Sequence, residues 1–217
     1  QLEVLGGTVN VKDGATLALG SNTMTLDAAS ALQSAGNISG AITAANGANV
    51  AITGGTYTQD VSNWCADGFM TQQNADGSFG IAKAAAKIGD KKYASLEAAF
   101  KAATSGCTIE ILSDVTVDYA WDARNTGGKF TVPVTINGNG KTIKFTASVN
   151  DNNYQAPFRF EADATVKNLT IDMSEVTDNR FRAISSKGNL TVDNSKFIGK
   201  DESLNCRAII FGEGAGA

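Results

Sequence analysis

The chain has 217 residues and a formal net charge of −4, which is long enough for one or two domains with apolar cores. Only 18% of its residues are charged and none is histidine. This argues against a nucleic-acid-binding surface, and it removes the commonest general base and metal ligand. No apolar run approaches the ~20 residues that a membrane-spanning helix needs, so we predict no membrane span, no metal, no cofactor and no catalytic residue.

Residues 1–82 alternate apolar and polar side chains in short runs, such as 8–11 and 49–52, with Gly and Asn between them. This pattern predicts short β-strands. The segment closes with Gly54-Gly55-Thr56-Tyr57 and a hairpin-like stretch at 74–79. Neither an initiator Met nor a signal peptide precedes it, which we interpret as a processed product or an excised fragment.

The composition changes at residues 83–107, where the sequence predicts one helix. Ser95 is a suitable N-cap, strong helix formers follow it, and Leu96, Phe100 and Ala103 fall on one helical face. We predict a helix over 95–104, ended by Ser105-Gly106. Strand patterns return from residue 108, and the helix is expected to cap the strands that follow.

Two nearly identical pentapeptides occur 21 residues apart, Asn-Leu-Thr-Ile-Asp at 168–172 and Asn-Leu-Thr-Val-Asp at 189–193. Looser copies lie at 135–137 and 25–27. A strand that recurs at a fixed period predicts stacked turns of a solenoid, with about 20 residues to a turn. We therefore expect the two pentapeptides to be successive rungs of one sheet.

Three segments carry a resemblance to known proteins. Residues 134–143 (VTINGNGKTI) resemble a rung of right-handed parallel β-helices with the pectin-lyase-like fold. Residues 88–99 and 105–116 resemble the module start of large, repetitive, secreted surface proteins of gut-type Gram-positive bacteria, in which a hairpin and helix precede the first rung. Residues 52–79 resemble the close of such a module. The resemblance covers about 52–200 and implies an all-β, right-handed parallel β-helix.

On this resemblance a closing segment precedes an opening one. We predict that residues 1–82 are the C-terminal part of one β-helix, that 83–107 are a junction with the capping helix, and that 108–217 start a second β-helix without a cap at its end. The ends would then continue from copy to copy, as tandem repeats or as a head-to-tail filament that does not close. A plain proteolytic fragment is the alternative.

Arg159, Arg182 and Arg207 fall at matching points of the predicted rungs. Rungs lie ~4.8 Å apart, so like charges would repel unless acids or an anion offset them. The column is either a binding ladder for an acidic glycan or a solvated face neutralised by four acidic residues, namely Glu161, Asp172, Glu175 and Asp178.

Acidic and amide side chains form two further predicted columns, the first with Asn137, Asp172 and Asp193 and the second with Asn168 and Asn189. Their oxygens suit Ca²⁺, but amide ladders and turn caps are commoner in solenoids. We favour the second interpretation.

The resemblance implies an extracellular, cell-surface structural or adhesive protein, one unit of a bacterial stalk or fibre, with itself, a glycan or a host surface as partner. The alternative is a lyase, a hydrolase or a glycan-binding β-helix acting on acidic polysaccharide. An ice- or glycan-binding solenoid would need a flat, regular Thr array, and the Thr repeats look too irregular for one.

Cys65, Cys107 and Cys206 are odd in number and form no CxxC motif, so zinc is not predicted. They are either small buried residues or, in an exported protein, disulfide partners. In a solenoid, Cys107 and Cys206 would lie about four rungs, ~19 Å, apart, beyond the ~7 Å Cα limit for a disulfide. A Cys65–Cys107 bond is feasible.

If the cysteines are disulfide partners and not small buried residues, the bond in the oxidised protein should join Cys65 and Cys107. Peptide mapping by mass spectrometry without reduction should detect the linked peptide, and reduction should split it. A Cys107–Cys206 link would contradict the solenoid.

Overall fold

The computed structural model describes residues 1–117, 128–146, 156–176, 182–199 and 207–211. The chain forms two compact units, Gln1–Lys83 and Ala84–Ala217. The all-β prediction is confirmed: the structure is a β-solenoid of about 7 turns with one short α-helix.

The first unit has nine strands and one 3₁₀ turn, Ser62–Trp64. The strands are β1 (Leu2–Val4), β2 (Gly7–Val11), β3 (Thr16–Leu26), β4 (Ser30–Ser34), β5 (Asn37–Ala44), β6 (Asn49–Ile52), β7 (Thr56–Tyr57), β8 (Phe69–Gln73) and β9 (Phe79–Lys83). They form sheet A, in the order β1-β3-β5-β7-β9-β8, and sheet B, in the order β2-β4-β6. Strands of successive turns pair in parallel. The predicted hairpin at 74–79 joins β8 to β9, which pair antiparallel.

A tyrosine and a glycine fix the closing segment of this unit. The hydroxyl of Tyr57 is buried 2.7 Å from Ser34 Oγ and 2.9 Å from the carbonyl oxygen of Gly54, and burial raises the pKa of Tyr57. Gly55 has φ +89°, and a Cβ there would lie 1.9 Å from the carbonyl oxygen of Gly36. The Gly-Gly-Thr-Tyr motif therefore has a steric reason: backbone of successive turns touches at Gly55.

The second unit begins with a hairpin and the helix. Strands β10 (Ala86–Ile88) and β11 (Lys91–Tyr93) pair antiparallel, and α1 (Leu96–Lys101) follows. Ser95 caps α1 as predicted, since its side chain accepts a hydrogen bond of 3.1 Å from the Ala98 N–H. The Phe100 ring lies 5.0 Å from the Phe130 ring, between centroids. The helix thus packs on the apolar interior of the strands that follow it.

Three sheets form the described turns of the second unit, and their strands pair in parallel from turn to turn, whereas the hairpin strand β10 joins the first of them, Cys107–Ile111, antiparallel. Their strands are β12 (Cys107–Ile111), β13 (Val115–Val117), β14 (Lys129–Phe130), β15 (Val134–Asn137), β16 (Thr142–Phe145), β17 (Phe158–Phe160), β18 (Ala164–Lys167), β19 (Thr170–Asp172), β20 (Arg182–Ser186), β21 (Leu190–Asp193), β22 (Lys196–Ile198) and β23 (Arg207–Phe211). Sheet C has the order β11-β10-β12-β15-β18-β21, sheet D β13-β16-β19-β22 and sheet E β14-β17-β20-β23.

The repeat length differs from the prediction. In sheet B, Ala31 pairs with Asn49, 18 positions on, whereas in sheet C, Val134 pairs with Ala164, 30 positions on. A turn takes 18 to 23 residues in the first unit and 25 to 30 in the second. The 20-residue period therefore suits the first unit, and the second has longer turns.

The prediction that the two pentapeptides stack on each other is wrong. Thr170–Asp172 belongs to sheet D and pairs with Lys196–Ile198, whereas Leu190–Asp193 belongs to sheet C and pairs with Ala164–Lys167. The same apolar alternation suits either sheet, because both face the same interior. The looser copy at 135–137 does stack on the strand at 190–193, through β18.

Apolar residues at matching positions of successive turns form inward columns. In sheet C, Ile109, Ile136 and Val166 are at most 1% exposed, and Val192, next in register, is 37% exposed. Val192 lies in β21, the outermost strand of the sheet. The buried residues Ile136 and Val166 of this column therefore lie between two turns. Among the described residues, Val192 has a neighbouring turn on one side only.

We predict that two identical substitutions in this column have unequal effects. Val166→Ala should lower the free energy of unfolding by about 1.5–3 kcal/mol, because it leaves a cavity between two turns. Val192→Ala should cost less than about 1 kcal/mol, because its side chain is partly solvated. Chemical denaturation measures both, and equal costs would contradict the column.

Candidate functional site

The predicted binding arginines all lie in sheet E. Arg159 is in β17, Arg182 in β20 and Arg207 in β23. Arg159 stands between Phe158 and Phe160, which are buried, so the pleat directs the arginine side chain outward. Arg182 is half-buried.

The predicted alignment of the three arginines is wrong in one respect. Arg182 and Arg207 are in register, but Arg159 lies opposite Ser185 and, on its other side, opposite Lys129. The sheet therefore holds two basic pairs, Lys129–Arg159 and Arg182–Arg207. Their role in binding stays a prediction.

Glu161 joins the members of the first pair. Its Oε2 lies 3.3 Å from Lys129 Nζ, and its Oε1 lies 3.3 Å from an Arg159 guanidinium nitrogen. One carboxylate is thus shared by two cations. The expected neutralisation by Glu161 is seen here, whereas Asp178 lies outside the described residues.

The other two predicted neutralising acids are Asp172, in β19 of sheet D, and Glu175, in the turn that follows it. Lys144 Nζ donates a hydrogen bond of 2.6 Å to Glu175 Oε1, which raises the pKa of Lys144. Partial burial acts to raise the pKa of Asp172, but hydrogen bonds from Ser174 and the charges of Lys144 and Lys196 outweigh it, so that this pKa lies below its ordinary value. These acids balance the lysines of sheet D.

The sequence prediction missed Lys129. The signal was present, since Lys129-Phe130 repeats the basic–aromatic order of Arg159-Phe160. The four strands of sheet E carry Lys129, Arg159, Arg182 and Arg207 as their charged residues, all of them basic. We call these four residues the basic strip.

Threonines form a more regular column than the sequence indicated. Thr108, Thr135, Thr165 and Thr191 are in register on sheet C. The neighbouring column consists of Glu110, Asn137, Lys167 and Asp193. The expectation of an irregular Thr pattern is therefore wrong for this one column, but the charged residues beside it interrupt a wider Thr array.

The corner between sheets C and D carries an amide ladder. Asn168 Nδ2 donates to Asn137 Oδ1 at 3.3 Å, and Asn194 Nδ2 donates to Asn168 Oδ1 at 2.7 Å. Asn139, Asn168 and Asn194 have positive φ, from 41° to 53°, which asparagine tolerates better than most residues. These amides hold successive turns together, as the favoured interpretation expected, although Asp172 and Asn189 belong elsewhere.

Two of the three cysteines, Cys65 and Cys107, lie in the described ranges. Within the described ranges, no group of three or more His, Cys, Asp or Glu side chains is placed to hold a metal ion. Cys65 Sγ lies 3.6 Å from the carbonyl oxygen of Val61, and Cys107 is a half-buried thiol that packs on the core of the second unit. The two cysteines belong to different units, and their oxidative pairing stays a prediction. Cys206 lies outside the described residues.

We predict that Asn168 is the more sensitive of the two pentapeptide asparagines. Asn168→Ala removes two amide contacts and places alanine at φ +53°, so it should cost about 1–3 kcal/mol of stability. Asn168→Gly should recover about 1 kcal/mol of that by relieving the backbone.

Asn189→Ala is the matched control, because Asn189 is the corresponding residue of the other pentapeptide and has no positive φ. Chemical denaturation should show a smaller loss for it. Equal losses for Asn168→Ala and Asn189→Ala would contradict the role of the corner.

In the part of the chain that the structure describes, α1 is too short to cross a membrane, and no other helix is long and apolar enough. Compared with protein-family profiles, curated proteins and solved structures, the chain matches none. The observations that bear on function are therefore the solenoid itself, its outermost turns and the basic strip.

Proposed function

We propose that this chain is an extracellular structural or adhesive β-solenoid protein, one unit of a bacterial surface stalk or head-to-tail fibre. The observation that carries the proposal is the exposure of inward-column residues in the outermost turns of both units. The resemblance of residues 88–116 to the module start of bacterial surface proteins supports the extracellular location.

The outermost strands of the second unit leave apolar side chains in contact with water. Phe211 in β23 continues the column of Phe130, Phe160 and Ser186, which are at most 2% exposed, yet Phe211 is 64% exposed. Val192 in β21 shows the same change. An edge strand also presents backbone N–H and C=O groups along its free side.

The first unit has a similar turn at β1 and β2. Leu2 pairs in register with Met24, which is fully buried, and Leu2 is 37% exposed. Leu5, between the two strands, is 77% exposed. A further turn stacked on this one would cover both leucines and pair the free edges.

A second copy of this chain is the occupant that suits both surfaces. Each surface is an edge of parallel strands around an apolar interior, so the outermost turn of the second unit in one copy can be continued by β1 and β2 of another. Such a contact joins two different surfaces and repeats without closing. Each junction would bury the apolar residues that both turns now expose, which favours association.

The test is the assembly state of the purified chain. We expect the wild-type chain to form rods that lengthen with concentration, seen by sedimentation velocity and negative-stain electron microscopy. Val192→Asp should shorten them, because it places a charge where an apolar column continues. Thr191→Asp adds the same charge one residue away, on the outward side of β21, and should leave the rods unchanged.

Three results would contradict the proposal. The first is a monomeric particle at the highest attainable concentration. The second is rods that are equally sensitive to both substitutions. The third is release of oligosaccharides from an acidic polysaccharide that is lost in Arg182→Ala, since that would identify an enzyme.

A further inference from the structure

We infer that Asn46 is a site of spontaneous covalent modification, at which the side-chain amide is lost and an aspartyl or isoaspartyl residue is left. Water is the only co-reactant. The chain contains three Asn-Gly pairs, at 46–47, 137–138 and 139–140. A glycine after asparagine leaves the next backbone nitrogen without a side chain to shield it. The three pairs therefore share the same local chemistry, and the fold decides which of them reacts.

The reaction takes place in two steps. The backbone nitrogen of Gly47 loses its proton to the solvent and attacks the Cγ atom of Asn46. A bond forms between that nitrogen and Cγ, the bond from Cγ to Nδ2 breaks, and Nδ2 takes up a proton from the solvent and leaves as ammonia. Water then opens the cyclic imide at either of its two carbonyl groups. One opening gives aspartate, and the other gives isoaspartate, in which the main chain runs through the former side chain.

The pair at 46–47 lies in an exposed turn between β5 and β6. A hydrogen bond of 3.1 Å from the Ala48 N–H to the Ala45 carbonyl oxygen closes this turn, and Gly47 has φ +100°. Among the described residues, neither the Asn46 amide nor the Gly47 N–H has a hydrogen-bond partner. The amide and the attacking nitrogen can therefore approach each other in contact with water, without first breaking a hydrogen bond.

The attacking nitrogens of the other two pairs are already engaged. The Gly138 N–H donates to the Lys167 carbonyl oxygen at 2.7 Å, and the Gly140 N–H donates to the Asn168 carbonyl oxygen at 2.8 Å. Both carbonyl groups belong to the next turn of the second unit. Attack by either nitrogen would first require the loss of a hydrogen bond that links two turns.

The side-chain amides of these two pairs are held as well. Asn137 Oδ1 accepts hydrogen bonds from the Asn139 N–H at 3.2 Å and from Asn168 Nδ2 at 3.3 Å. Asn139 Nδ2 donates to the Ile111 carbonyl oxygen at 3.1 Å. The backbone there is also crowded, since a Cβ at Gly138 would lie 2.4 Å from the Asn168 carbonyl oxygen. The corner of the second unit therefore protects two Asn-Gly pairs, and the turn of the first unit leaves the third open.

The modification would change a link between two turns of the first unit. The Ala45 N–H donates to the Leu26 carbonyl oxygen of the preceding turn at 2.9 Å. Isoaspartate at position 46 lengthens the main chain by one carbon, so the bond from Ala48 to Ala45 loses its geometry, and either product adds a negative charge to an acidic chain. The reaction needs only this turn, so it does not depend on the proposed assembly.

Incubation of the folded full chain in mildly alkaline buffer tests the inference. Peptide mapping by tandem mass spectrometry locates the lost amides, and labelling with an isoaspartyl methyltransferase detects the isoaspartate. Asn46 should convert at least about tenfold faster than Asn137 and Asn139, because those two pairs must first break hydrogen bonds. Its rate should rise about tenfold for each unit of pH, because the Gly47 nitrogen attacks only after losing its proton.

The denatured chain is the control for the fold. Once the hydrogen bonds between turns are lost, the three Asn-Gly pairs should convert at rates within about threefold of one another, because the residue after each asparagine is the same. Comparable rates at the three positions in the folded chain would overturn the inference. So would a preference for Asn46 that is equally strong in the denatured chain, since the fold would then protect nothing.

Two variants test the site through the ammonia that the folded chain releases. Asn46→Gln should remove most of the early release, because glutamine would have to form a larger ring and does so more slowly. Asn49→Gln is the matched control: Asn49 is exposed near the same corner, but the branched side chain of Val50 shields the nitrogen that would attack it. Its release should equal that of the wild-type chain. Undiminished release from Asn46→Gln would overturn the inference.

Discussion

The rest of this structure depends on one constraint: the apolar side chains of each turn are buried by the turns on either side of it. Ile136 is buried because Ile109 lies on one side of it and Val166 on the other. No turn can complete its own core, so the stability of each turn comes largely from its neighbours. The helix α1 meets this requirement at the start of the second unit, where Phe100 packs on Phe130, and Val192 and Phe211 show what remains exposed where no described turn follows.

Local patterns in the sequence were enough to predict the fold class but not the alignment of turns. Alternation of apolar and polar residues shows which side chains of a strand face inward, and Ser95 with the residues after it is sufficient to predict α1. Neither pattern says which sheet a strand joins. The segments at 168–172 and 189–193 have almost the same sequence. Asn168, with its positive φ, lies at the corner between sheets C and D, whereas Asn189 lies directly before β21 of sheet C, and its N–H donates to Asp163.

The arginines also show that local sequence patterns do not predict which residues pair between turns. Arg159 faces outward because its neighbours Phe158 and Phe160 are both buried. The cross-strand neighbours of Arg159 depend on the number of residues that connect a strand of sheet D to the next strand of sheet E, and this number differs from turn to turn. Arg159 therefore lies opposite Lys129 and Ser185, and the actual pairs of the basic strip depend on spacings that no local motif encodes.

The two units carry their β-hairpins at opposite ends, and this difference affects the order in which their turns can fold. Each parallel strand pair among the described residues joins positions 18 to 30 apart, which slows pairing because long loops must close first. Within the described ranges, the local hairpins are β8–β9, at the end of the first unit, and β10–β11, at the start of the second. Growth from these hairpins runs backward along the first unit and forward along the second. During synthesis the second unit can add each turn as it emerges, whereas the first must wait for its last strands.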